Sequence, residues 1–243
     1  MFFLGHISIA FVISYFIVER FQLRGISLSL IMFLSILPDI DIVFRLIGID
    51  LGHRSITHSL LVSMIVWGIL FMKYRKPSVV LYFFAYLSHV LVGDLIVGPL
   101  NLLYPFGQYY VNGVADFKAP EHLVIEGVLL LILAMIVFGW YLRYRKLHTF
   151  PFEFTKLDTF FYPILISAII VSLFFLLDES QKELTEFPNP IFLLTQSSSD
   201  YRNTAIIILH AIGIATISFL WIISRRNSQV QYRYQETQKQ QGV

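Results

Sequence analysis

Residues 79–97 read VVLYFFAYLSHVLVGDLIV, an apolar stretch that nevertheless contains His89 and Asp94. Its length matches the roughly 17–25 residues that a helix needs to cross a bilayer. An ionisable side chain inside a membrane costs about 2.5–3.5 kcal/mol on insertion scales, so residues of this kind usually mark functional sites. The stretch therefore predicts a membrane helix that carries part of a site.

The whole chain has the composition of an integral membrane protein. It is 56% hydrophobic and 14% charged, whereas soluble domains are about 45–50% apolar and 25% charged. Stretches of spanning length predict an all-α, polytopic membrane bundle of about seven transmembrane helices. These stretches lie at residues 2–18, 26–48, 56–72, 79–97, 123–142, 160–177 and 204–223. The expected surroundings are the lipid bilayer, and a net charge of +2 gives no support for a nucleic-acid partner.

The distribution of basic residues predicts the orientation. Most of the eighteen Lys and Arg residues fall in loops on one side of the predicted bundle, which the positive-inside rule assigns to the cytoplasm. The amino terminus is then outside and the carboxyl terminus inside, in a multi-pass protein of the cytoplasmic membrane. Residues 1–224 form one predicted membrane domain, with site-bearing helices in 1–142 and additional helices in 160–224. The Gln-rich segment 225–243 is predicted to be a disordered cytoplasmic tail.

Nine histidine and carboxylate residues of the first half converge, in this topology, on the extracytoplasmic face. They are His6, Asp39, Asp41, His53, His58, His89, Asp94, His122 and Glu126. Because the chain has no cysteine, a metal could be held only by nitrogen and oxygen, which suits a divalent ion such as zinc. The predicted metal ligands are all of these residues except Asp41.

Two features of the backbone sharpen this hypothesis. Pro38, within the run Pro38-Asp39-Ile40-Asp41, is expected to interrupt the second span, and irregular backbone at membrane depth is tolerated where it lines a cavity. His89 and Asp94 are five residues apart, which places them about 140° apart on a regular helix. A π-bulge at the intervening Gly93 would bring both onto one face.

The other spacings favour shared helix faces. His122 and Glu126 are four residues apart and would project from the same side of the fifth helix. Arg54 and His58 have the same spacing, so they share a face if the third helix begins early.

At these residues the chain resembles the LexA-regulated, inner-membrane family of metal-dependent hydrolases. The resemblance rests on Gly5-His6, Leu37-Pro38-Asp39-Ile40-Asp41, His53-Arg54-Ser55-Ile56-Thr57-His58-Ser59, Ser88-His89 with Asp94, and Tyr104-Pro105-Phe106, and it covers roughly residues 1–142. It implies a membrane-embedded metal-dependent hydrolase. The family commonly places its Asp four residues after the His, so the five-residue spacing to Asp94 is a departure.

A more distant similarity is to the zinc-dependent phospholipase C and single-strand nuclease superfamily, whose ligands also come in order from successive helices. It implies a phosphoesterase with two or three zinc ions and a lipid or phosphate-bearing substrate. Asp39 or Asp41 would then bridge ions or act as the base. Arg54 would bind phosphate, because its guanidinium fork matches two phosphate oxygens.

Several alternatives remain open. A metal or proton transporter also uses intramembrane Asp and His, and a non-catalytic membrane protein is a third class. Asp41 and Arg54 could instead form a structural ion pair, and His53 could be a loop residue. His210 is expected to be a hydrogen-bonded packing residue.

The predicted orientation can be tested by labelling single cysteines, since the chain contains none of its own. Cysteine at Asp116 should react with an impermeant maleimide in intact cells, and cysteine at Asn227 should react only after the membrane is opened. Labelling at 227 alone would invert the topology.

Overall fold

The computed structural model is a bundle of seven α-helices in the part of the chain that it describes. That part comprises residues 3–23, 25–41, 44, 54–95, 100–106, 110–111, 120–147, 155–186 and 204–226. The helices are α1 (Phe3–Phe21), α2 (Leu28–Leu34), α3 (Leu60–Tyr74), α4 (Pro77–Ser88), α5 (Pro120–Leu147), α6 (Lys156–Glu186) and α7 (Thr204–Arg226). A 3₁₀ turn at Leu37–Asp39 follows α2, and a π-helical turn at His89–Asp94 continues α4. Two short antiparallel strands, β1 (Leu100–Asn101) and β2 (Tyr110–Val111), complete the described structure.

The prediction of an all-α membrane protein is confirmed. Among the described residues, four helices are long and apolar enough to cross a bilayer: Phe3–Phe21, Pro77–Asp94, Val124–Leu142 and Thr204–Arg226. They expose large apolar side chains such as Phe16, Met135 and Ile222, which suits lipid as the surrounding solvent. The total of seven spans and the orientation stay predictions. Most of the predicted tail, residues 227–243, lies outside the described residues, and α7 itself ends at Arg226.

The second predicted span is interrupted where the sequence indicated. Helix α2 has only seven residues, because Pro38 lacks an N–H group and its ring clashes with the preceding helical turn. The Ser35 hydroxyl donates to the Met32 carbonyl oxygen at 2.7 Å and closes the helix end. The chain then turns through Leu37–Asp39, which brings the Asp39 carboxylate into the bundle.

Helix α1 is the centre of the bundle. It packs against α2, α4, α5 and the π-helical turn. Small buried residues such as Ser8, Ala10 and Ala85 let these helices approach closely, as is common in membrane bundles. The Ser8 hydroxyl donates to the Leu4 carbonyl oxygen of its own helix at 2.7 Å, so it is satisfied without a partner on a neighbouring helix.

The last helix closes the bundle. A methyl group on Gly213 of α7 would overlap the Leu4 side chain of α1, which shows how closely the two helices pack. On its other sides, α7 places Phe219 against Tyr141 of α5 and Trp221 against Tyr162 of α6, with ring centroids 5.4 and 6.0 Å apart.

One buried carboxylate joins α6 to α2 at the end of α2 that lies away from Asp39, and Ser27 of this cluster also bonds to α4. Asp158 of α6 accepts hydrogen bonds from the Ser27 hydroxyl and the Ser29 backbone N–H, each at 3.0 Å. Its other oxygen accepts from the backbone N–H and the hydroxyl of Thr155. The Ser27 backbone N–H donates to the Tyr82 hydroxyl of α4 at 3.1 Å. Asp158 therefore caps the beginnings of α2 and α6 together.

Replacing Asp158 with alanine should lower stability by about 3 kcal/mol, because each buried donor left unpaired costs about 1–3 kcal/mol. Asp158→Asn keeps one acceptor oxygen and should fall between alanine and wild type. Thermal unfolding in detergent measures the effect. Equal melting of the alanine variant and wild type would show that the shared cap does not hold the helices.

Candidate metal centre

Five ionisable residues from four separate segments meet inside the bundle. His6 comes from α1, Asp39 from the 3₁₀ turn, His58 from the turns before α3, and His89 and Asp94 from the π-helical turn. All five are buried, and Asp39 is the most exposed at 8%. Charged groups are almost never buried in this way unless they are paired or bind a metal.

The π-helical turn aligns His89 with Asp94, which a regular helix would hold about 140° apart. In a π-helix the backbone hydrogen bonds join residue i to i+5 instead of i+4, so each turn holds about one residue more than in an α-helix. Its effect is that His89 Nε2 lies 3.4 Å from Asp94 Oδ2. The π-helical backbone thus accommodates the extra residue between His89 and Asp94.

The imidazole nitrogens of His58 and His89 lie close to each other and to a carboxylate oxygen of both Asp39 and Asp94. His58 Nε2 lies 3.2 Å from His89 Nε2, 3.4 Å from Asp39 Oδ1 and 3.0 Å from Asp94 Oδ2. His89 Nε2 lies 3.4 Å from both Asp39 Oδ1 and Asp94 Oδ2. Tetrahedral zinc with bonds of about 2.0–2.1 Å spaces its ligand atoms about 3.3–3.4 Å apart. These five distances are compatible with that spacing. Donor atoms of His58, His89 and Asp94 all lie within 4.8 Å of one another, as do those of His6, Asp39 and His89.

The outer nitrogens of the two rings fix which nitrogen faces the cluster. His89 Nδ1 lies 2.7 Å from the Ser35 carbonyl oxygen, which can only accept, so Nδ1 carries the hydrogen. His58 Nδ1 lies 3.0 Å from the Thr57 hydroxyl oxygen and 3.7 Å from Asp41 Oδ2. In the neutral form each ring thus presents the lone pair of Nε2 to the two carboxylates. Orientation of a ligating histidine through its other nitrogen is usual in metal sites.

Asp41 lies behind His58, outside the set of four donor atoms. Its Oδ2 accepts hydrogen bonds from the Arg54 backbone N–H at 3.2 Å and the Thr57 hydroxyl at 3.4 Å. The Tyr86 hydroxyl donates to the Thr57 carbonyl oxygen and ties the segment to α4. The expected helix face shared by Arg54 and His58 was wrong, since α3 begins at Leu60 and residues 54–58 form turns. Asp41 holds these turns in place.

Arg54 lies at the edge of the cluster. Its guanidinium Nη2 is 3.5 Å from Asp94 Oδ1, and its side chain is 21% exposed. The residue has a φ of 62°, a left-handed conformation that costs a non-glycine residue about 1–2 kcal/mol. Such strain clusters at functional sites. The Arg54 guanidinium is a partly exposed positive group that also contacts the buried Asp94 carboxylate.

His6 packs face to face with His89, with ring centroids 3.7 Å apart and an interplanar angle of 14°. Its ring also lies against Gly93, where an added Cβ would overlap it. The absence of a side chain at residue 93 is thus required for the position of His6. The sequence analysis associated Gly93 with the π-bulge, but it did not predict this contact with His6.

The remaining predicted ligands are not brought into the cluster among the described residues. Glu126 is buried on α5 and interacts electrostatically with His210 of α7, a pair that the sequence did not predict. His210 Nδ1 donates to the Ile206 carbonyl oxygen at 2.8 Å, as expected of a packing residue. His122 belongs to α5, but its side chain lies outside the described part, as does all of His53. Their ligand roles stay predictions.

An apolar and aromatic turn, residues 102–106, is hydrogen-bonded to the segment that follows His58. The Leu60 backbone N–H donates to the Leu102 carbonyl oxygen at 2.9 Å, and the Ser59 hydroxyl donates to the Tyr104 carbonyl oxygen at 2.8 Å. Ser59 also caps α3 by accepting from the Val62 N–H. At the tip of this turn Phe106 is 75% exposed.

Comparison with known proteins places this site within one family. The model of the YdjM inner membrane protein family matches residues 1–147, which include every residue of the cluster. The chain belongs to this family. Membership confirms the resemblance to an inner-membrane family and the prediction of a multi-pass protein of the inner membrane. No curated protein and no solved structure matches the chain. Hydrolase activity and the likeness to phospholipase C stay predictions.

The strained backbone at Arg54 leads to a stability prediction. Arg54→Gly should be more stable than Arg54→Ala by about 1 kcal/mol, because both lose the contact with Asp94 but only glycine relieves the positive φ. Arg75, at the end of α3 with a φ of 50°, gives a matched control and should show the same order. Thermal unfolding measures all four variants. If Arg54→Ala and Arg54→Gly melt at the same temperature while the two variants of Arg75 differ, the backbone at residue 54 is not strained.

Proposed function

We propose that the protein is a membrane-embedded, metal-dependent hydrolase, and specifically a phosphoesterase that acts on a lipid or membrane-proximal substrate. The observation that carries the proposal is that His58 Nε2 and His89 Nε2 lie 3.2 Å apart, and each lies 3.0–3.4 Å from Asp39 Oδ1 and from Asp94 Oδ2. Two nitrogens and two oxygens form the donor set that zinc and related divalent ions prefer.

Electrostatics supports a cation at the centre of these atoms. With both rings neutral, four lone pairs face one another in a buried site, next to two carboxylate charges. Removing such charges from water costs several kcal/mol each unless an opposite charge compensates them. The Arg54 guanidinium lies beside Asp94 Oδ1, whereas Asp94 Oδ2 faces the two imidazole rings.

The chemistry expected of the site follows from this placement. A zinc ion held by these residues would supply a nucleophile from water near neutral pH and a positive charge for phosphoryl oxygens, provided that one coordination position stays open to water. Thr57 and Asp41 orient His58, and the Ser35 carbonyl orients His89, so neither ring needs to reorganise during a reaction. Asp39 is the most exposed of the four residues, at 8%. Asp41 acts through His58 as a positioning residue, because it accepts hydrogen bonds from the turns that carry His58.

The surroundings favour a substrate that is both anionic and apolar. The guanidinium of Arg54 can bind two phosphate oxygens at once. Ile56, in the same turn, is 43% exposed, and Leu103 and Phe106 of the neighbouring turn are 42% and 75% exposed. A phosphate beside apolar chains is the chemistry of a membrane lipid or a lipid-linked phosphate.

The test is elemental analysis of the detergent-solubilised protein together with turnover of phosphoesters. Wild type should contain stoichiometric zinc or a similar ion, and the double variant Asp39→Ala, His58→Ala should contain none and be inactive. Asp158→Asn changes a buried carboxylate far from the cluster and should keep its metal. If the purified protein contains no metal and chelators do not change its melting temperature, the imidazoles are protonated and pair with the carboxylates. That result would refute the proposal. Metal uptake into vesicles without hydrolysis would indicate a transporter instead.

Arg54→Lys tests the phosphate role. An ammonium keeps the positive charge but loses the bidentate fork, so turnover of phosphoesters should fall at least tenfold while metal content and melting stay near wild type. Hydrolysis at the wild-type rate by this variant would exclude the role. A non-phosphate ester, hydrolysed equally by both proteins, serves as the control.

A further inference from the structure

The apolar turn at residues 102–106 exposes a group of apolar side chains close to the candidate metal centre. Leu103, Tyr104 and Phe106 are 42%, 36% and 75% exposed. No charged residue occurs in the sequence between Asp94 and Asp116. Contiguous exposed apolar surface of this kind marks a site of interaction with a membrane, a ligand or a protein.

The turn lies at the end of two membrane helices. Helices α3 and α4 are joined by Arg75 and Lys76 alone, so they run antiparallel, and the beginning of α3 lies beside the end of α4. The Leu60 backbone N–H, at the beginning of α3, donates to the Leu102 carbonyl oxygen at 2.9 Å. The apolar span that includes α4 ends at Asp94. The turn is therefore at the level of the membrane–water interface, where aromatic side chains concentrate.

Ser59 joins the turn to the segment that carries His58. Its hydroxyl donates to the Tyr104 carbonyl oxygen at 2.8 Å, and its backbone N–H donates to the Ile56 carbonyl oxygen at 3.4 Å. Ile56 is itself 43% exposed, so both segments that Ser59 connects expose apolar side chains. A single residue thus links this apolar surface to a buried imidazole of the cluster.

Helix α3 indicates that lipid covers the surface. The helix is apolar along nearly its whole length, yet Ser63 is its only buried residue. It packs mainly against α4, and Met64 and Ile69 are 57% and 55% exposed. A helix that is apolar all round belongs either in a protein core or in a membrane, and the described chain provides no core around α3. The apolar turn continues this surface beyond the first residue of α3.

We infer that the apolar turn and Ile56 form a lip embedded in membrane lipid, along which the hydrocarbon chain of a substrate reaches the site from the side. The route of the substrate rests on the proposed function, whereas the contact with lipid does not. Phe106, the most exposed residue of the turn, is the specificity-determining residue for the apolar chain.

Site-directed fluorescence in phosphatidylcholine vesicles tests the contact with lipid. Because the chain has no cysteine, a fluorescent maleimide can be attached to Phe106→Cys alone. Its emission should be quenched by phosphatidylcholine that is spin-labelled near the head group, and only weakly by iodide present on both sides of the membrane. Ile69→Cys on α3 is the lipid-exposed control, and Lys76→Cys is the water-exposed control.

The chain length of the substrate tests the role of Phe106. Phe106→Ser should lower kcat/KM for a long-chain phosphoester about tenfold or more, mainly through KM, since the burial of a phenylalanine side chain corresponds to at least that factor. The effect on a short, water-soluble phosphoester should be much smaller. Phe16→Ser, on α1 and 61% exposed, is the matched control and should behave like wild type with both substrates.

The outcomes separate this inference from the proposed function. Quenching of residue 106 by iodide, or by neither quencher because protein covers it, overturns the lip and leaves the hydrolase proposal standing. An equal loss for long and short substrates, or no loss for either, overturns the role of Phe106. Quenching by lipid in a protein that hydrolyses no phosphoester refutes the proposed function and the substrate route with it, but confirms the contact with lipid.

Discussion

Charge placed inside an apolar bundle is the constraint around which this protein is built. Asp39, Asp41 and Asp94 are buried, and carboxylates at membrane depth must be compensated by cations or by dense hydrogen bonding. The fold meets this need with irregular backbone. A 3₁₀ turn delivers Asp39, a π-helical turn aligns Asp94 with His89, and a left-handed residue, Arg54, places its N–H on Asp41.

These irregular elements sit on a regular support. Helix α1 packs against most of the bundle, and the small residues along it allow close contact with α2 and α4. Asp158 fixes the other end of α2 by capping two helices at once. A metal or a reacting group requires its protein ligands to be held within about 0.5 Å, and these packed helices support the segments that carry the donor atoms. The site lies within the family region 1–147, whereas α7, outside it, closes the bundle against Leu4.

Much of this architecture is visible in the sequence, because a bilayer imposes strong rules. Spanning length and composition predict the helices, Pro38 predicts the break after α2, and the five-residue spacing of His89 and Asp94 predicts the π-helical turn. Other features depend on tertiary packing and leave no local signal. Examples are the position of Asp41 behind His58, the start of α3 at Leu60 rather than before Arg54, and the interaction of Glu126 with His210. Which ring nitrogen faces the cluster is decided by the Ser35 carbonyl, a backbone group that side-chain patterns cannot reveal.

In the proposed metal centre, two imidazole nitrogens and two carboxylate oxygens bind one ion. X-ray absorption at the zinc edge, on purified protein loaded with one equivalent of zinc, measures the ligand shell of that ion directly. We expect the zinc ion to have four nitrogen or oxygen neighbours at about 2.0–2.1 Å, together with the outer-shell scattering of two imidazole rings. A six-oxygen shell without imidazole scattering, or zinc that washes away without any change in melting, would contradict it.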